Sequence, residues 1–243
     1  MRTAFSRAIS AMRKALPMLK ACYDGPGPGP DDDLSPRWFP YPNKFTSLDN
    51  LEVFINYDIP NGNEVGQDTF ERLKKKLVFF ATVQTTGKKV CVKFTHRYSR
   101  EVHEACADMK IAPKLLGYEL LPGGWIMVVM DRIDDNYTTL FDIARTMPGH
   151  LYDLIKKKLE ELHQRGMVHG DIRNANIMVQ IAVTDSFMLL DFDWAGTIGQ
   201  VKYPMNVNRT DLWRPSGAVD GELIKAEHDM MMLDDMFGRR CYT

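Results

Sequence analysis

The chain has no long apolar run. Its longest stretches, residues 77–83 and 125–130, fall far short of the roughly 20 residues that cross a bilayer as a helix, so no spanning helix is expected. Cysteine is scarce: Cys22, Cys91, Cys106 and Cys241 include no CxxC pair. That excludes a disulfide framework or a thiolate zinc site and makes reduced thiols in an intracellular compartment the expectation. A surplus of charge is also missing. Thirty-one Lys plus Arg against 32 Asp plus Glu leave a net charge of -1, so no global field recruits nucleic acid or anionic lipid. No internal repeat is visible.

What is present is an ordinary globular mixture. With 243 residues, 44% hydrophobic and 26% charged, the chain has room for one large domain or two small lobes. The first 23 residues carry Arg2, Arg7, Arg13, Lys14 and Lys20 and no acid before Asp24. Such a segment has the composition of a mitochondrial transit peptide, but a helix docking through Ala11, Leu16 and Leu19 is preferred. Residues 24–42 hold six prolines and three glycines and read as a linker.

Beyond the linker, residues 51–57 alternate as a strand and residues 69–76 look briefly helical. LVFFATV and VCVKF, separated by a turn at Gly87, predict a hairpin near 77–84 and 89–95. A helix is expected over 98–110, then a buried strand in GGWIMVVM. Leu151, Leu154, Ile155, Leu159 and Leu162 follow the helical period, with Gly166 as a C-terminal cap. Short strands at 177–179 and 187–190 and a helix at 222–237 complete the reading.

Three segments carry chemistry: Lys93 in VCVKF, Asp171 and Asn176 in HGDIRNANI, and Asp191 at the end of FMLLD. Phosphoryl transfer needs a cation on the nucleotide phosphates, a carboxylate beside the attacking hydroxyl, and oxygen ligands for magnesium. A strand lysine is usually a solvated one, and an Asp or Asn in a loop is usually a turn cap. The three together, in this order, are more specific. Glu101, eight residues after Lys93, could pair with it, and Glu104 is the rival. His163 and His169 lack a third ligand and read as packing residues, and the KKK runs at 74–76 and 156–158 as solvated faces.

VCVK, HGDIRNAN and DFD resemble the strand-lysine, catalytic-loop and metal-binding motifs of a eukaryotic-type protein kinase. More closely, VKFTHRYSREVHE, APKLLGYE, MVVMDRID, HGDIRNANIMV, LLDFDWAGTIGQVKYP and AEHDMMMLD are similar to the fungal-type protein kinase-like family. The resemblance runs from about Lys89 to the C-terminus. It implies an α+β, two-lobed kinase-like fold, with a small β-rich N-lobe and a mainly helical C-lobe that is truncated after its central helix. The divisions implied are 1–44 (N-terminal helix and linker), 45–133 (N-lobe and hinge) and 134–243 (incomplete C-lobe).

The resemblance further implies ATP in the cleft with Mg2+. Lys93 would bind phosphates with Glu101 as its partner, Met130 would be gatekeeper, and the backbone of Asp131 to Ile133 would meet adenine. Asp171 would position the acceptor with Arg173 nearby, Asn176 and Asp191 would hold the metal, and Asp229 would anchor the catalytic loop. The implied activity is transfer of a phosphoryl group to Ser or Thr of a protein in the cytoplasm or nucleus, without nucleic acid or membrane partners. A small-molecule acceptor and a catalytically inactive scaffold are the alternatives, and mitochondrial import is the alternative address.

The chain departs from the kinase pattern at several points. No GxGxxG precedes Lys93, since Gly62 and Gly66 stand far upstream without evident flanking strands. Gly170 replaces an arginine that would read a phosphate on the activation segment, so activity is not expected to wait on phosphorylation of Thr197 or Thr210. Arg173 replaces a lysine and Asp193 the glycine of DFG. No APE-like segment is evident, and the end at Thr243 fits a compact kinase or a truncated product.

Overall fold

The computed structural model describes Arg13, Pro17 and residues 42–58, 76–143, 149–180 and 186–239. The chain divides into two units, Met1–Tyr41 and Pro42–Thr243. Arg13 and Pro17 are helical and exposed. The rest of the expected N-terminal helix and the linker, Pro42 apart, lie outside the described residues, as does the helix expected at 69–76 except for Lys76.

The second unit opens with a six-stranded antiparallel sheet in the order β1-β2-β3-β4-β6-β5. Its strands are β1 (Lys44–Thr46), β2 (Glu52–Tyr57), β3 (Val78–Val83), β4 (Lys89–Thr95), β5 (Leu115–Leu120) and β6 (Ile126–Asp131). The hairpin β3–β4 is the one expected, turning at Gly87, whose φ of 68° suits glycine. The two ends of the sheet also meet, through an isolated bridge between Ser47 and Gly117. Gly117 is required there, because a Cβ would overlap the Phe45 ring.

Side-chain alternation sorts this sheet into two faces. Val90, Val92 and Phe94 of β4 join Met127 and Val129 of β6 in one apolar cluster with Phe45, Ile55, Ala81 and Val83. Val128 and Met130 face the other way, as does Lys93 by the same period. Helix α1 (Arg100–Asp108) covers that second face through Val102, His103 and Cys106. It begins at the Ser99 N-cap, whose side chain accepts from the Val102 amide at 3.4 Å.

The main core continues from α1 through α2 (Leu140–Ile143) and α3 (Gly149–Gln164) to α4 (Ala226–Met236). Leu151, Ile155, Leu159 and Leu162 supply the buried stripe of α3. Short strands fill the space between the helices. β7 (Tyr137–Thr139), β9 (Ile177–Gln180) and β10 (Phe187–Leu189) form one sheet in the order β10-β9-β7. β8 (Met167–Val168) pairs with β11 (Gly196–Thr197). The last helix starts four residues later than its apolar pattern suggests, because Glu222 and Ile224 are bonded to Tyr203 and Val201 in extended form. No helix among the described residues is long and apolar enough to cross a membrane.

Candidate active site

The site forms where three stretches converge on the second face of the six-stranded sheet. The first is β4, which delivers Lys93, only 8% exposed. The second is the loop from β8 to β9. Its carboxylate Asp171 accepts from Asn176 Nδ2 at 2.8 Å, Arg173 Nε at 2.9 Å and Arg214 at 2.7 Å. The third is the turn after β10, carrying Asp191, Phe192 and Asp193. Asp191 has a φ of 70°, an uncommon conformation for a residue with a side chain and one that recurs at functional sites.

Backbone bonds lock the last two stretches together. The Leu190 amide donates to the Asn176 carbonyl at 2.8 Å. His169 accepts the Asp171 amide on Nδ1 at 3.3 Å, so its Nε2 carries the proton that reaches the Leu190 carbonyl at 3.0 Å. Below the loop, the fully buried Asp229 of α4 accepts from the amides of His169 and Gly170, both at 2.8 Å, and from His163 at 3.1 Å. Gly170 has a φ of 83°, and a Cβ there would press on Ile224 and the Trp194 carbonyl. Any larger residue, arginine included, would be strained at this position.

Lys93 is held between two carboxylates, 2.5 Å from Asp191 Oδ1 and 2.6 Å from Asp193 Oδ1. Burial acts to lower the ammonium pKa, but the two negative charges outweigh it and the net direction is up. Burial likewise opposes the charge of Asp191, and Lys93 reverses this, holding Asp191 below the ordinary range. Asp193 goes the other way: burial first, and then the Asp191 charge, push it up to about 6.

Among the expected residues, Lys93, Asp171, Arg173, Asn176 and Asp191 lie in this constellation, with Asp229 beneath it. Glu101 does not join it. The Glu101 side chain is exposed, meeting the Ser99 hydroxyl at 3.5 Å, and Glu104 pairs with Arg100 at 3.0 Å. The helical period explains this, since Val102, His103 and Cys106 take the inner face of α1 and turn both glutamates away from it. His103 stacks on Phe192 at 4.7 Å. Its Nε2 donates to the Pro113 carbonyl and its Nδ1 accepts the Tyr98 hydroxyl, each at 2.8 Å. Burial pushes its pKa down to about 4, so the ring is neutral.

Met130 and Asp131 end β6, with Met130 buried. The Asp131 amide donates to the Lys114 carbonyl at 2.9 Å, whereas the Ile133 amide donates to no described residue. The strands expected at 51–57 and 77–84 form, as β2 and β3. Neighbours β2 and β3 are joined by residues 58–77, which contain both glycines, although the glycines themselves lie outside the described residues. Lys76, at the end of this connection, is exposed, as expected of the KKK run. It lines a cavity of about 330 Å3 with Lys93, Phe94, Arg97, Trp125 and Asp193.

Sequence reasoning missed Arg214. Its guanidinium is buried, stacks 4.5 Å over Trp194, and reaches Asp171 from 43 residues away. No motif spacing signals it, because the irregular chain between the two residues has no period.

The donor set suits magnesium. Asn176 spends its Nδ2 on Asp171, leaving Oδ1 without a donor among the described residues, and Asp191 Oδ2 is likewise unclaimed. One carboxylate and one amide oxygen, completed by substrate phosphates and water, are what this hard cation takes. No cluster of three or more His, Cys, Asp or Glu side chains competes among the described residues.

No family model matches the chain, and no curated protein matches its sequence. Among solved structures, the chain is similar to the Cydia pomonella granulovirus kinase PK-1, at 15% identity and a TM-score of 0.53. The match covers 71% of this chain and 72% of that one. At this identity the likeness is one of fold, and the fold is kinase-like.

Proposed function

We propose that the chain is a protein kinase-like phosphotransferase that moves the γ-phosphoryl group of magnesium ATP to a hydroxyl, that of Ser or Thr in a protein. One observation carries the reading: Lys93 pairs with Asp191, Asn176 bonds Asp171, and the Leu190 amide beside Asp191 bonds the Asn176 carbonyl, which gathers the four residues into one constellation with Asp191 in a strained conformation. The kinase-like fold supports phosphoryl transfer, and the protein acceptor is part of the proposal. In this reading the six-stranded sheet and α1 are the small lobe, residues 134–243 belong to the large one, and adenine meets the Asp131 to Ile133 backbone at the Ile133 amide, which no described residue accepts.

Lys93 binds phosphate oxygens, which a rigid strand lets it do without reorganisation. Asp171 accepts three hydrogen bonds on its two oxygens and so offers the acceptor hydroxyl a carboxylate of fixed orientation. The hydroxyl oxygen forms a bond to the γ-phosphorus as the bond to the departing ADP oxygen breaks, and its proton passes to Asp171 or to water. Magnesium, on Asn176 and Asp191, would neutralise charge on the phosphates. Arg173 stands beside Asp171 as a further cation for the group in transfer.

Thermal unfolding with ATP, with and without magnesium, tests this on the wild type and on Asp191→Ala. Ligand at about 100 times its Kd adds about 2.7 kcal/mol of stability. Magnesium-dependent stabilisation that vanishes in Asp191→Ala is the expected result. No shift of the wild type at millimolar ATP would replace this reading with that of a non-catalytic scaffold.

A further inference from the structure

The glycine position of the DFD segment is filled by a carboxylate, and the structure uses it. Asp193 Oδ1 lies 2.6 Å from the Lys93 ammonium, and its Oδ2 accepts from the Thr95 hydroxyl at 3.1 Å. Lys93 and Thr95 are two residues apart on β4 and therefore share a face. Asp193 thus grips one strand at two adjacent same-side positions, which fixes the carboxylate and, through it, the lysine. The turn that delivers it is itself tied down. The Ala195 amide donates to the Phe192 carbonyl at 3.3 Å, and the Ser99 amide at the start of α1 donates to the same carbonyl at 3.1 Å.

A lysine that binds phosphates needs a carboxylate to hold it, and in kinases the usual source is a glutamate on the following helix. Here that helix has its glutamates turned outward, with Glu101 exposed and Glu104 on Arg100. Asp191 also touches Lys93, but the proposed function assigns it to magnesium, which leaves Asp193 as the carboxylate that holds Lys93 without also serving the metal. The site keeps one cation against two anions while moving the second anion from the helix to the turn.

We propose that Asp193, anchored by Thr95, is the residue that positions Lys93 for the nucleotide phosphates, and that Glu101 has no part in this. The proposal rests on the nucleotide reading above. It also makes Asp193 a positioning residue, because it acts through Lys93 and touches no substrate.

Calorimetric titration of the full chain with magnesium ATP and, separately, with adenosine tests it. Adenosine lacks phosphates and so reports whether the rest of the cleft is intact. Asp193→Asn is expected to weaken ATP binding about tenfold, the scale of a lost charge-assisted hydrogen bond, and to leave adenosine binding unchanged. Thr95→Val, which keeps both charges and removes only the bond that anchors Asp193, should weaken ATP in the same direction. Glu101→Gln should alter neither ligand. In a Lys93→Ala background, Asp193→Asn should have no further effect on ATP, because the interaction it supports is gone.

Three results overturn the proposal while leaving the nucleotide site standing. They are ATP binding by Asp193→Asn as tight as or tighter than wild type, equal loss of ATP and adenosine, and a loss of ATP binding in Glu101→Gln in place of Asp193→Asn. A wild-type chain that binds adenosine but not magnesium ATP, or neither, overturns the nucleotide reading and this proposal with it.

Discussion

At the scale of single residues, the site depends on buried polar atoms whose partners come from distant parts of the chain. Asp229 is the clearest case. Both its oxygens accept backbone amides of the Asp171 loop, and one also receives His163. An asparagine would keep one acceptor and turn an NH2 group against an N–H donor, leaving buried groups unsatisfied. Asp229→Asn should therefore lower stability by about 2 kcal/mol. Urea denaturation checks this, a lower midpoint at unchanged slope being the expected result and an unchanged midpoint the contrary one. Asp171 and Asn176 were legible as a pair because they stand five positions apart on one loop. Arg214 was not, since its approach to Asp171 is decided by packing on Trp194 and Met232.

At the scale of elements, periodicity revealed most of the framework. The β3–β4 hairpin and α3 fall within a residue or two of their expected bounds, and β6 lies over the apolar part of its expected segment, because each carries a dense apolar pattern. The elements missed were the one-turn helix α2 and the short or irregular strands β1, β5, β7, β8 and β11. Two- and three-residue strands have no period to read, and the register of β5 shifts between Leu115 and Gly117, which disguises its alternation. That irregular strand also carries a packing constraint. Gly117→Ala would drive a methyl group into the buried Phe45 ring and should cost about 2 kcal/mol, typical of overpacking. Gly149→Ala, at the start of α3 with open space around it, is the control and should not destabilise. Thermal melts of the two variants decide the point, and equal midpoints would contradict it.

At the scale of the whole molecule, α1, the connection leading into β5 and the Asp191 turn are joined through His103, whose ring is buried against Phe192 and bonded to Tyr98 and Pro113. Its pKa falls from 6.5 to about 4 on folding, so between these values the unfolded chain binds more protons than the folded one. The stability His103 contributes is fully present above about pH 6.5 and is lost as pH falls toward 4, by about 3 kcal/mol in all. Asp193 works in the opposite sense, since its raised pKa makes the folded state bind the extra proton between 3.8 and about 6. The difference between wild type and His103→Gln isolates the histidine. The variant should show a flatter decline of stability between pH 6.5 and 4, and parallel curves would rule the linkage out.

The sequence by itself determined the kinds of groups and their order along the chain: a strand lysine, a loop with Asp171 and Asn176, and an aspartate after a buried strand. Order is local information, carried by side-chain period and turn chemistry, and it pointed to phosphoryl transfer, while the kinase-like fold was what the resemblance of the motifs to protein kinases implied. Which carboxylate meets Lys93 was decided only by the tertiary structure. A glutamate eight residues away on a helix and an aspartate 100 residues away on a turn are equally available to a linear reading. The choice between them follows from the rotation of α1, which buries Val102, His103 and Cys106, faces Glu101 to solvent, and leaves the lysine to Asp191 and Asp193.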